Sequence, residues 1–172
     1  CSSDLKVARL LGLPYPGGPS VQRAAEGGNP NAFRFPRALA GNDSIEFSYS
    51  GLKTAVLYAL RDNARPEQGG EAWLADMAAS FQHAAIDVLV SKTRLALRQT
   101  GLKRLVLAGG VAANQLLRKR LAEEIHADVF LPAMSLCIDN GAMIAAAACS
   151  RLALGVKPPL AKEAARASLA LG

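Results

Sequence analysis

The sequence is poor in the residues that most often carry site chemistry. It contains 2 histidines and 3 cysteines among 172 residues. Cys1, Cys137 and Cys149 are an odd set without metal-ligand spacing, which argues against a disulfide scaffold and for a reduced, cytoplasmic compartment. His83 has no second histidine three or four residues away, so it reads as structural rather than as half of a metal pair. Aromatic residues make up 5% while apolar residues make up 51%, much of that alanine, a balance that favours helices packed closely on a small sheet. The longest apolar run, Ala142 to Cys149, is far too short to span a bilayer, and no membrane association is expected. No signal peptide is visible, and the opening at Cys1 rather than methionine suggests that the natural start is missing. Asn42-Asp43-Ser44 matches the glycosylation sequon and is read as chance.

Acidic side chains are outnumbered, and the formal charge is +6. The clusters Arg118-Lys119-Arg120, Lys103-Arg104 and Lys92/Arg94/Arg98 can meet nucleic-acid phosphates or form solvated helix faces, and charge alone does not choose.

What the chain does have is centred on Arg104 to Arg118. Leu105 to Ala108 is a short, wholly apolar run ended by Gly109 and Gly110, as expected of a buried strand in a parallel sheet. The period then changes. Val111, Leu116, Leu117 and Leu121 recur at helical spacing, with Arg118, Lys119 and Arg120 expected to face outward. A strand entering a helix through a double glycine lets the backbone approach a ligand, and helix-start amides point at any anion there. Asn114, expected about one turn into the helix, carries an amide that can donate to and accept from a ribose or base. A tight turn without a ligand explains the same residues. The pattern is neither a P-loop nor a dinucleotide fingerprint.

In chain order, Asp4 to Leu11 reads as a helix, followed by a rigid loop from Leu13 to Pro19 whose Gly17 and Gly18 permit close approach. Val21 to Glu26 is a short helix, and Gly27 to Asn42 is irregular. Ser44 to Ser50 alternates Ile45, Phe47 and Tyr49 with polar partners, which predicts a half-buried strand, after which Ser50 caps a helix to about Asn63. Residues 64–70 form a linker. Glu71 to Thr100 is the longest helix, with Leu74, Met77, Phe81, Ala84, Val88 and Leu95 on one face. Ala127 to Leu131 predicts a second strand, and Asp139 is placed to cap a helix ending near Leu154-Gly155, or to ligate a metal. The expected sheet contains the 44–50, 102–109 and 127–131 strands in a single α/β domain over residues 1–172, with a loosely ordered tail from 156 onward.

Four segments then occur in order: Lys6-Val-Ala-Arg-Leu-Leu-Gly-Leu-Pro-Tyr-Pro-Gly-Gly-Pro19, Phe47-Ser-Tyr-Ser-Gly-Leu-Lys-Thr-Ala55, Leu107-Ala-Gly-Gly-Val-Ala-Ala-Asn114 and Asp139-Asn-Gly-Ala-Met-Ile-Ala145. Together they resemble the tRNA threonylcarbamoyladenosine transferase family (TsaD, formerly described as O-sialoglycoprotein endopeptidase). The resemblance implies a lobe of the actin-like/Hsp70-type (ASKHA) ATPase fold, a small sheet flanked by helices. It implies transfer of a threonylcarbamoyl group from its adenylate to N6 of the adenosine beside the anticodon. Its partners would be tRNA, ATP or threonylcarbamoyl-adenylate, and the partner subunits of the threonylcarbamoylation complex. Gly18 and Asn114 match substrate-binding positions, with Gly17, Gly109 and Gly110 beside them in that set. Asp139 matches the aspartate that ligates a divalent metal, iron or zinc.

Two departures accompany the match. The His-x-x-x-His pair that completes the family's metal site has no counterpart here, so Asp139 alone leaves that site incomplete. The family's substrate-binding aspartate aligns with Leu5, and Asp4 lies one residue, about 100° of helix, away. Residues 1–5 are therefore read as a possible foreign junction. The expected role is the C-terminal lobe of such a transferase, inactive without its other lobe. The alternative is a non-catalytic actin-like scaffold or binding module, and a peptidase reading finds no nucleophile–base pair. An exposed face left by the missing lobe also predicts self-association.

Overall fold

The computed structural model describes residues 2–38, 43–63, 66 and 70–156. The expected tail lies outside them, apart from Val156, as does most of the 64–70 linker. The chain divides into two units, Cys1–Cys137 and Ile138–Gly172.

The first unit is built around one long helix. Its helices are α1 (Ser2–Leu10), α2 (Gly17–Ala24), α3 (Ser50–Asp62), α4 (Gly70–Thr100) and α5 (Gln115–Glu124). Strands β1 (Arg104–Val106) and β2 (Asp128–Phe130) pair in parallel, with Leu105 opposite Val129. Parallel neighbours need a crossover, and α5 supplies it. Residues 2–5 lie within α1, continuous with the Lys6–Leu10 turns.

Two apolar clusters share α4. The first gathers Val7 and Leu11 of the α1 region, Val21, Phe35, Leu52 and Val56 around Met77, Phe81 and Ala84. The second sets Ile86 and Val90 against Leu117, Leu121 and Ile125, with Leu105 and Val129 packed onto them from the sheet. Each fully buried Leu or Phe contributes about 1.5–3 kcal/mol, so these clusters, rather than the three-residue strands, hold the unit together. The single predicted face of α4 is too narrow: residues 77–82 are all buried. A helix enclosed on several sides needs apolar or hydrogen-bonded residues all round.

Several sequence expectations change. Residues 44–49 form no strand. Ile45 and Phe47 are exposed, and the segment is tied to α4 by side chains: Lys92 Nζ donates to Ser44 O at 2.6 Å and Gln99 Nε2 to Asp43 O at 2.7 Å. Carbonyls engaged by side chains are withdrawn from any ladder. Ser50 is the first residue of α3 rather than its cap; the cap position is Tyr49. The apolar run 105–108 is not a two-sided buried strand, because Leu105 is half-buried while Val106 is 71% exposed.

Helix α2 begins four residues earlier than its apolar period implies. Gly17, Gly18 and Pro19 form its first turn, where a proline's missing N–H costs no intrahelical bond. Gly17 permits the approach to α1, since a Cβ there would lie 2.7 Å from Leu5 Cα. In the second unit residues 138–156 are described, and α6 (Gly141–Ala153) is the helix among them. Asn140 caps it, Oδ1 accepting from Met143 N at 3.0 Å, so the cap is not Asp139. At its far end Gly155 takes φ 75° and Val156 N donates to Arg151 O at 3.0 Å, a Schellman ending.

Gly17→Ala is expected to lower unfolding free energy by about 1–3 kcal/mol, as overpacking does. Gly18→Ala, whose Cβ would meet nothing within 4 Å, should be neutral or stabilising by up to about 1 kcal/mol. Urea denaturation of the two variants checks the contrast, and equal effects would contradict the packing described.

Candidate nucleotide-binding site

Strand β1 leaves the sheet into a glycine pair. Gly109 takes φ 84°, a left-handed conformation that strains any other residue, and turns the chain into a 3-10 turn over Gly110–Ala113. Asn114 follows, and the helical period assigned to Val111 through Leu121 is broken there. Asn114 is the N-cap of α5, not a residue inside it: Oδ1 accepts from Leu117 N at 2.9 Å. An asparagine here satisfies an otherwise orphaned amide. A Cβ at Gly110 would meet nothing within 4 Å, so packing alone does not demand glycine at that position.

Other elements grip this turn. Asn114 Nδ2 donates to Gln82 Oε1 of α4 at 3.0 Å, and Gln115 N donates to Gln22 Oε1 of α2 at 2.9 Å. Gln22 sits one helical turn beyond Gly18, so the bond brings α2 to the start of α5. Arg118 reaches back to Ala112 O at 2.6 Å, to Pro132 O at 2.5 Å and to the buried Cys137 Sγ at 3.3 Å. The glycine turn is thus held from α2, α4 and the segment after β2.

Sequence reasoning missed Gln22 and Gln82. Gln82 had a visible signal, a polar residue inside the buried stretch of the longest helix. Gln22, on a short helix with many polar neighbours, had none.

The basic clusters are largely committed. In Arg118-Lys119-Arg120, expected to face outward, only Lys119 is exposed. Arg118 is the clamp just described, and Arg120 pairs with Asp87 and, at 2.5 Å, with Glu124. Asp87 also binds Arg37 at 2.5 Å, and Glu124 binds Arg94 at 2.9 Å. Lys92 is 4% exposed, in contact with Ser44 O. Lys103, Arg104, Arg98 and Lys119 remain as exposed cations. Low-dielectric surroundings favour pairing over solvation for the others.

Burial raises the Asp87 pKa, but the hydrogen bonds and charges of Arg120 and Arg37 outweigh it and hold the carboxyl below the ordinary range. Burial lowers His83, Asp87 opposing and Arg120 and Arg37 reinforcing. At the other end of the unit burial raises the Asp4 pKa, and burial, then the charge of Asp4, raise that of Tyr49. Tyr49 Oη donates to Ala85 O at 3.1 Å. Leu5 is half-exposed, with its backbone against Gly17.

Of the sequence-nominated residues, Gly17, Gly18, Gly109, Gly110 and Asn114 belong to the first unit, whose α2 and α5 the Gln22–Gln115 bond joins. Asp139 belongs to the second, in the stretch entering α6. Among the described residues no group of three or more His, Cys, Asp or Glu side chains is placed to hold a metal ion. The donor set therefore does not fit a complete metal centre. No described helix is long and apolar enough to cross a membrane.

A family model described as TsaD, tRNA N6-adenosine threonylcarbamoyltransferase, matches residues 4–146, and the chain belongs to that family. Curated relatives bearing that same description include one from Bordetella avium, 51% identical over 154 residues, and one from Desulfitobacterium hafniense, 55% identical over 145. The alignments cover 88% and 83% of this chain but 45% and 42% of the relatives. A third, from Geotalea daltonii, is 52% identical over 143 residues, 81% of this chain and 41% of its own. The chain thus spans somewhat under half the length of the relatives it matches.

Because Asp87 and His83 both have lowered folded-state pKa values, each contributes stability at neutral pH that falls as acid protonates the unfolded chain first. Urea unfolding followed from pH 7 downward should show a loss beginning near about 6.5, removed by His83→Gln, and a second below about 4, removed by Asp87→Asn. A wild-type stability independent of pH over that range would contradict the assignment.

Proposed function

We propose that this chain is the C-terminal lobe of an actin-like tRNA threonylcarbamoyltransferase, and that its strand–glycine–helix turn binds the adenylate half of the substrate. The observation that carries the reading is the family match over 4–146 together with a glycine turn held by α2, α4 and the segment after β2. Gly109 and Gly110 let the backbone approach phosphate or ribose, and α2 begins at Gly17 and Gly18 with amides suited to an anion. Asn114 uses one lone pair and one N–H in holding the turn, so its amide retains one acceptor and one donor site for a ribose or base.

In this reading, binding and orientation are what these residues supply: fixing the adenylate converts attack by the acceptor amine into an oriented, near-unimolecular step. Arg98, Lys103, Arg104 and Lys119 offer tRNA phosphates their charge. Asp139 contributes one ligand to a divalent metal, iron or zinc, whose remaining ligands come from outside this chain. Catalysis accordingly needs the other half of the enzyme and its partner subunits, and the setting is the cytoplasm. The outward side chains of the sheet, Val106 and Phe130, together with neighbouring Leu102, form an exposed apolar surface through which the chain self-associates.

ATP should raise the thermal unfolding midpoint of the chain, by mass action on the folded state. Asn114→Asp keeps an oxygen to cap α5 but loses the amide donor, so it should lower the ligand-free midpoint, because Gln82 Oε1 loses its partner, and reduce the ATP shift without abolishing it. No shift in wild type would sink adenylate binding by this lobe. Sedimentation velocity should show self-association rising with concentration, weakened by Val106→Asp with Phe130→Asp; a monomer at every concentration contradicts it.

A further inference from the structure

The amide of Asn114 is held at both ends, and only one end is explained by the helix. Its Oδ1 caps α5 through Leu117 N at 2.9 Å. Its Nδ2 donates at 3.0 Å to Gln82 Oε1, a side chain from α4, 32 residues away. Gln82 is 9% exposed and lies on α4 between Phe81 and Ala84 of the first apolar cluster, one turn before Ile86 of the second. Burying a glutamine amide in such surroundings is costly unless it is hydrogen-bonded. An apolar residue of similar size would fill the position without that cost, so volume alone does not account for a glutamine.

We propose that Gln82 is a positioning residue for nucleotide binding: its Oε1 fixes which way the Asn114 amide faces, so that one N–H and one oxygen lone pair are presented to the ligand in a single orientation. The inference rests on the adenylate reading of the Asn114 turn. The helix cap alone leaves the plane of the amide free to tilt about the Oδ1 contact. The second bond removes that freedom, because an amide rotated out of plane would leave the buried Gln82 oxygen unpaired. Pre-organising a recognition group in the free protein lowers the ordering cost of binding. The same contact ties the ligand turn to α4, whose flanking residues lie in both cores.

The test is a double-mutant cycle read by ATP titration calorimetry on the whole chain, using Gln82→Met, Asn114→Asp and the pair. Gln82→Met fills the same space and lacks the acceptor. It should raise the Kd for ATP about tenfold in the wild-type background, corresponding to about 1.4 kcal/mol, and less than about twofold when Asn114→Asp is already present. A purely structural role would change Kd by the same factor in both backgrounds, and that result, or no change in either, overturns the inference. If Gln82→Met does not fold, the unaltered protein still decides by amide NMR. One Asn114 Nδ2 proton should be protected from exchange and the pair should shift on adding ATP; two rapidly exchanging protons would overturn the proposal. A wild-type chain that does not bind ATP overturns the adenylate reading and this inference together. Binding that is indifferent to Gln82 overturns the inference alone.

Discussion

The constraint on which the first unit depends is the enclosure of α4. A 31-residue helix that serves one cluster through Met77 and Phe81 and another through Ile86 and Val90 is common to both. The α1–α2–α3 layer and the β1–α5–β2 crossover have their cores on successive stretches of it. Two parallel strands of three residues have too few ladder bonds to stand alone. They are held because Leu105 and Val129 lie on the same cluster that receives Leu117 and Leu121.

Polar residues within that enclosure are few, and each is bonded across elements. Ser80 accepts from Phe33 N and donates to Asn29 O. Lys92 reaches Ser44 O, and Gln82 reaches Asn114. Buried polar groups must find partners, and here the partners are the loops and turns that surround α4. The charged network of Arg37, Asp87, Arg120, Glu124 and Arg94 repeats the arrangement nearer the surface, linking the segment after Phe35, α4 and α5. Two of the cations in the basic clusters, Arg94 and Arg120, are neutralised in this way, while Arg98, Lys103, Arg104 and Lys119 are the members of those clusters that stay exposed outside the network.

Much of the architecture was legible beforehand. Helices α1, α4 and α6, the parallel pairing of the 104–106 and 128–130 segments and the glycine turn all carry strong local signals: long 3.6-residue periods, Gly stops at 101 and 155, and an apolar run that ends at Gly109. The misreadings have a common physical origin. Residues 44–49 alternate as a strand should, yet among the described residues no strand pairs with them, and α4 side chains hold the start of the segment through the Asp43 and Ser44 carbonyls. Arg118 and Arg120 sit among charged neighbours in sequence, yet the fold supplies acceptors from residues 87, 112, 132 and 137. Asp139 is a plausible cap by type, yet Asn140 occupies the capping position.

By itself the sequence determined the class of elements, the position of the glycine turn and the family, because these depend on periodicity, on glycine where the chain must turn sharply, and on motifs contiguous along the chain. Tertiary structure decided which polar side chains serve the turn and which charges remain available. Gln22 and Gln115 are 93 residues apart, and Gln82 and Asn114 are 32 apart. Such pairs are made by the packing of separate helices, and no local pattern in the chain encodes a hydrogen bond whose partner arrives only when the core closes.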